Sequence, residues 1–166
     1  ALDTVKTPFG EVREALGGSA AHFSVAASFF APVRLVAVVG EDFTPADRQP
    51  LLDRNVDLAG LPTATGRTFR WSGSYGDDLN SARTLDTQLN VFADFKPEVP
   101  EAWRDTPLLF LANIDPELQW NVLDQVRGAK LVAADTMNYW IDGKPEALKK
   151  LLGRVDVLLI NDGEIR

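Results

Sequence analysis

The sequence predicts an α/β fold, a doubly wound parallel sheet carrying a small antiparallel β insertion. Three observations point there. Four short apolar runs (35–39 LVAVV, 108–114 LLFLANI, 130–134 KLVAA, 155–160 VDVLLI) alternate with helix-like stretches. Continuous apolar runs of this length are the pattern of strands buried on both faces. Each run ends on polar residues, and between 58 and 95 the texture changes to an alternation of period two, the mark of strands with one dry face and one wet face.

The elements follow in order. Residues 1–15 are mixed, with a turn at Thr7-Pro8-Phe9-Gly10, where Pro fixes φ and Gly relaxes it. The stretch 16–42 organises the rest. Gly17 and Gly18 lack a Cβ, which permits a sharp turn and close approach by a ligand. Ser19 stands where it can cap the following helix. That helix, about 19–30, is rich in Ala and Ser, reads as buried, and ends before Pro32. The strand 35–39 then leads to Gly40-Glu41-Asp42. Residues 45–55 read as a helix with an apolar stripe of Leu51, Leu52 and Val56.

The alternating stretch holds TGRTFRWSGSY and RTLDTQLNVFADF, separated by a loop over residues 76–80 that contains Asp77 and Asp78. In the second run Leu85, Leu89, Val91 and Ala93 fall on one face. Asp86, Gln88 and Asn90 fall on the other. Helices are expected at 116–128 and 145–152, each opened by proline, which suits the first turn. The predicted organisation is a core of residues 1–57 and 97–166 with an insertion at 58–96.

Composition narrows the chemistry. The 166 residues include 45% hydrophobic and 25% charged residues, with a net charge of −7. An acidic chain argues against a nucleic-acid or anionic-membrane partner, because both favour a basic face. There are no cysteines and one histidine, so thiol catalysis and multi-histidine metal sites are excluded. No apolar run is long enough to span a bilayer, and a cytoplasmic location is the default. The chain contains no GxGxxG, no GxxxxGK[ST] and no GxSxG. Those absences exclude the sequence fingerprints of dinucleotide folds, P-loops and α/β-hydrolases. His22 sits inside an apolar helix, which argues against an exposed base. Phosphoryl transfer or sugar binding by carboxylates, amides and backbone donors is left. In a doubly wound fold ligands bind beyond the carboxyl ends of strands. Those ends carry Gly40-Glu41-Asp42, Asn113-Ile114-Asp115, Asp135-Thr136-Met137-Asn138 and Asn161-Asp162-Gly163-Glu164.

GGSAAHFSVAAS followed by VRLVAVVGEDF resembles the N-terminal pattern of the ribokinase-like PfkB carbohydrate kinases. DTMNYW and LLINDGE resemble two later segments of that family. The resemblance covers essentially the whole chain and implies a three-layer ribokinase-like fold whose insertion is a β lid. It implies that Asp3, Gly17 and Gly18 hold a sugar, with Ser19, His22, Arg70 and Asn90 as further substrate-side candidates. It places Asp135, Asn138, Asn161 and Glu164 near phosphate and Mg²⁺, Glu164 acting on the metal indirectly. It implies ATP and Mg²⁺ as cofactors, a small-molecule sugar as partner, and self-association, with pairing through the lid as one route to a dimer. His22 departs from the family pattern, which has Asn there.

The family's Gly-Ala-Gly-Asp segment, which supplies its catalytic base, does not occur in this sequence. No catalytic base is therefore assigned, and the chain reads as the incomplete, N-terminal portion of a longer protein. A nucleoside kinase of the same family and a non-catalytic α/β sugar-binding or assembly module are the alternatives.

Overall fold

In a computed structural model of the chain, residues 1–77, 79 and 82–165 are described. Asp78 and Asn80 of the predicted loop lie outside the described residues. The chain divides into two compact units, residues 1–95 and 96–166.

The first unit opens with a β-hairpin, β1 (Leu2–Thr7) and β2 (Gly10–Leu16). Helix α1 (Ser19–Ala27) follows, then β3 (Arg34–Val36), β4 (Val39–Gly40) and α2 (Pro45–Leu52). Next come β5 (Asp57–Gly60), β6 (Thr63–Ala64), β7 (Arg70–Tyr75) and β8 (Ala82–Gln88). A four-stranded sheet runs in the order β2-β1-β7-β8. Its two hairpins are antiparallel, and β1 and β7 join them in parallel. Two short parallel pairs, β3 with β5 and β4 with β6, carry the core. That core packs Leu2, Leu35, Val39, Phe43, Leu51, Val56 and Leu61.

The second unit contains β9 (Leu108–Leu111), α3 (Pro116–Gln125), β10 (Leu131–Asp135), α4 (Asn138–Gly143), α5 (Pro145–Leu152) and β11 (Val157–Leu159). Its three strands form a parallel sheet in the order β11-β10-β9. Leu111, Leu123, Val132, Ala134 and Leu151 fill its core. Gln119 is 1% exposed, and its amide donates to the carbonyls of Leu111, Ala112 and Asp135 at 3.0, 3.0 and 3.1 Å. One buried side chain thus ties together the ends of β9 and β10.

Several expectations change in detail. The run 35–39 is two strands rather than one, because β3 pairs with β5 while β4 turns to pair with β6. Residues 1–15 are a regular hairpin, hidden in the sequence because five of the seven β2 residues are exposed and carry no apolar face. Helix α1 buries only Ala21 and Ser24. The alternation after residue 82 stops at Gln88. Asn90 takes a left-handed φ of 50° and opens a 3₁₀ turn over Asn90–Phe92, so Leu89, Val91 and Ala93 do not extend the face of Leu85. Trp71 packs within its own sheet. A Cβ on Gly73 would stand 2.1 Å from its ring, and its Nε1–H donates to Thr84 Oγ1 at 3.2 Å.

Candidate functional site

In the first unit the double glycine closes on Asp3. Gly18 N–H donates to Asp3 Oδ2 at 3.2 Å, and Gly17 N–H donates to the carbonyl of Ala1 at 3.1 Å. A Cβ on Gly17 would lie 2.0 Å from Asp3 Oδ2, and Gly18 has φ of 87°. Both positions therefore require glycine, one for space and one for backbone conformation. Asp3 Oδ1 is buried and accepts no hydrogen bond. Burial pushes the Asp3 carboxyl up from its ordinary value, against the opposing pull of the α-amino group, the Gly18 N–H and His22. A half-buried carboxylate with one oxygen unanswered is a ready acceptor for a ligand hydroxyl.

The flanking positions differ from the sequence reading. Gly18, not Ser19, is the N-cap of α1, and no side chain caps the helix. Ser19 has become its first residue, past the position from which a cap side chain reaches back. His22 is exposed on the first turn of α1, because the buried stripe of that helix runs through Ala21 and Ser24.

Arg70 and Asn90 gather around Thr68 instead. Asp42 Oδ1 accepts from the Thr68 N–H at 2.8 Å and from its hydroxyl at 2.7 Å. Thr68 Oγ1 in turn accepts from Gly40 N–H at 3.0 Å. Arg70 reaches Asp42 Oδ2 at 2.8 Å, Glu14 Oε1 at 2.8 Å and the Thr68 carbonyl at 3.0 Å. Asn90 Nδ2 donates to the same carbonyl at 2.9 Å. Gly40 leaves no room for a side chain, since a Cβ there would stand 2.3 Å from the Gly66 carbonyl. Burial pushes the Asp42 carboxyl up, but the Thr68 bonds and the Arg70 guanidinium outweigh it and bring it down to about 2. Arg67 stands farther out, 3.8 Å from Asp42. Periodicity does not show this cluster, because its members come from four separate segments. The Asp at the end of strand 35–39 is the one hint.

In the second unit, Asp135 ends β10 and the exposed Asn138 opens α4. Asp135 pairs in register with Leu159 of β11. The turn with Asn161 and Glu164 therefore leaves the same end of the same sheet. Within that turn the two residues serve each other. Asn161 Oδ1 accepts from the N–H groups of Gly163 and Glu164 at 2.9 and 3.0 Å, and Glu164 Oε2 accepts from Asn161 N–H at 3.0 Å. This is a reciprocal capping arrangement. Asp115, read as a strand-end candidate, is the N-cap of α3, and Lys144 bridges it to Glu117 at 2.6 and 2.5 Å. Those two carboxylates hold the Lys144 ammonium above its ordinary value. Among the described residues no three His, Cys, Asp or Glu side chains stand together in a way that could hold a metal ion. Mg²⁺ keeps several waters and takes one or two carboxylates together with substrate phosphates, and Asp135 and the turn with Glu164 stand at the same end of one sheet.

A four-stranded β sheet with a glycine-walled carboxylate in one unit, and a parallel α/β sheet with polar loops at its strand ends in the other, define an α/β protein. Known proteins narrow the class. No family model matches. A cytidine kinase from Thermococcus kodakarensis is 24% identical over 166 residues, covering 98% of this chain and 59% of the relative. The nucleoside kinase of Methanocaldococcus jannaschii, an archaeal member of the ribokinase family, superposes with a TM-score of 0.73 at 18% identity, over 98% of this chain and 58% of its own. Ribokinase from Cryptococcus neoformans in complex with ADP superposes with a TM-score of 0.77 at 15% identity, over 99% of this chain and 56% of its own. The fold is ribokinase-like, and the chain spans under two thirds of the length of these relatives. Among the described residues no helix is long and apolar enough to cross a membrane.

Proposed function

We propose that this chain is the substrate-binding part of a kinase that transfers the γ-phosphoryl group of ATP to a sugar hydroxyl. The observation that carries the reading is Asp3, whose Oδ1 is buried without a partner at a corner that excludes any side chain at Gly17. A sugar hydroxyl donating to that oxygen would supply the missing bond, and a neighbouring hydroxyl could accept from backbone N–H groups at the start of α1. Ser19 and His22 lie in the first turn of α1, directly after Gly18. The ribokinase and nucleoside kinase neighbours support the kinase class. ATP and Mg²⁺, with Asp135, Asn138, Asn161 and Glu164 on the phosphate side, come to this reading from the family resemblance, as does a cytoplasmic location.

A nucleoside substrate is the second reading, favoured by the likeness to a cytidine kinase. Both ligand classes can present vicinal hydroxyls to Asp3. Thermal shift with D-ribose, D-fructose, cytidine and adenosine separates them, because a ligand that binds the folded state raises its melting temperature with concentration. A response to sugars alone supports the first reading, and a response to nucleosides alone selects the second. Silence to all four at millimolar concentration supports the non-catalytic module. The purified 166-residue chain is expected to form no ADP with any of these ligands, since its sequence holds no Gly-Ala-Gly-Asp segment. Sustained ligand-dependent ADP formation would contradict the assignment of the base to residues outside it.

The reading also includes self-association through the four-stranded sheet, whose outer strand β8 is exposed along its whole length. Light scattering coupled to size exclusion tests it, and a monomer at all concentrations would remove it.

A further inference from the structure

Glu14 has a left-handed φ of 49°, a strained conformation for a residue with a side chain. The strain has a visible local cause. Asp3 faces Ala15 across the hairpin, whereas Val5 faces Val12. Two residues, Arg13 and Glu14, therefore stand opposite Thr4, which is a β-bulge. Glu14 N–H donates to Thr4 Oγ1 at 3.3 Å. The bulge turns the Glu14 carboxylate onto Arg70 Nε at 2.8 Å. The same guanidinium meets Asp42 at 2.8 Å, and its side chain is only 13% exposed.

This bridge lies next to the Asp3 corner along the backbone. Asp42 clamps Thr68 and Arg70. Between them, the Phe69 carbonyl accepts from Leu2 N–H at 2.9 Å, the bond just before Asp3. Leu2 and Asp3 then pair with Arg70 and Trp71. On the far side of the hairpin Asp3 pairs with Ala15, the residue after the bulge.

We propose that Arg70 is a positioning residue, which bridges bulged Glu14 to Asp42 and thereby holds the Asp3 carboxylate against Gly17–Gly18. A planar guanidinium can serve two carboxylates in fixed directions, which a lysine ammonium cannot do as rigidly. The function assigned to this bridge rests on the reading of Asp3 as a ligand-binding group. Arg70 would then act on the ligand through Asp3 rather than by touching it.

The test is made on the 166-residue chain with Arg70→Met, Glu14→Gln and Asp3→Asn. The first readout is hydrogen exchange at the Gly18 amide, which reports its bond to Asp3 without any ligand. Both Arg70→Met and Glu14→Gln are expected to speed that exchange about tenfold, a local opening, while amides of β10 stay unchanged. The second readout is the Kd for whichever of D-ribose and cytidine shifts the wild type. Arg70→Met weakens it roughly tenfold; in the Asp3→Asn background, read by Gly18 exchange, Arg70→Met adds no further acceleration, the non-additivity of groups acting through one another. Unchanged Gly18 exchange in both bridge variants overturns the proposal, and so does an additive double variant. If neither compound binds the wild type, the ligand reading fails while the exchange measurement still decides whether Arg70 positions Asp3. Should Arg70→Met not fold, Glu14→Gln carries the test, since Glu14 is 55% exposed.

Discussion

Two carboxylates of the first unit face opposite fates. Asp42 is held on both sides, with both Thr68 donors on Oδ1 and the Arg70 guanidinium 2.8 Å from Oδ2, an ion pair although Oδ2 accepts no aligned hydrogen bond. Asp3 has one backbone donor and a buried oxygen with none. The environment accordingly lowers the Asp42 carboxyl to about 2 and raises that of Asp3. A carboxylate already facing a guanidinium and two donors has less acceptor capacity to spare for a ligand. One left short is where a ligand donor fits. The comparison separates architecture from binding in a way that the shared label "Asp after a strand" does not.

The largest expected effect comes from forcing the two regions apart. Gly17→Ala puts a methyl on top of Asp3 Oδ2. It should cost about 3 kcal/mol of stability in urea denaturation and abolish any thermal response to sugar or nucleoside. A cost below about 0.5 kcal/mol would mean that Asp3 does not sit at this corner.

Asp42→Asn comes next. It removes the charge that Arg70 and Thr68 address and should destabilise by roughly 2 kcal/mol at pH 7. Because Asp42 is depressed from 3.8 to about 2, its charged form stabilises the fold above pH 3.8, and that contribution is lost as pH falls toward 2. The gap between the variant and the wild type should therefore persist down to about pH 4 and close below it.

Asp3→Asn should have the opposite sign and a smaller size. The Asp3 carboxyl is raised above 3.8, so its charged form costs stability at neutral pH, and the cost disappears as pH falls through the raised value. Without ligand the variant should be more stable than the wild type by up to about 1 kcal/mol at pH 8, converging on it near pH 4. It should also lose the ligand response. Equal signs for Asp3→Asn and Asp42→Asn would erase the distinction between the two sites.

Glu164→Gln is the smallest expected change. Its partners are all within one exposed turn, so global stability should shift by less than about 0.5 kcal/mol.

The fold class was legible in the sequence because parallel strands buried on both faces leave unbroken apolar runs, as 130–134 does around β10. Helix α5 was legible to the residue, since Pro145 opens it and its apolar spacing is regular. The β1–β2 hairpin was not, because GEVREAL buries almost nothing and so writes no alternation. At the candidate site, Gly17 and Gly18 were visible as a pair, and Asp3 came with them through family resemblance. The Asp42–Thr68–Arg70–Glu14 chain was invisible, since only tertiary folding brings together residues up to 56 positions apart. Asn161-x-x-Glu164 shows the reverse case. Its spacing of three is that of a self-capping turn, so the residues alone cannot distinguish a helix start from a ligand site.

Strand β11 has a practical consequence for anyone who prepares the 166-residue chain. It forms one margin of its sheet, and Val157, Leu158 and Leu159 are 44%, 37% and 50% exposed. Among the described residues no strand covers its outer side. An oily ribbon with free backbone donors and acceptors recruits other ribbons. The shelf life of a concentrated stock should be set by this margin rather than by the melting temperature of either unit. A single Leu158→Lys change should lengthen it.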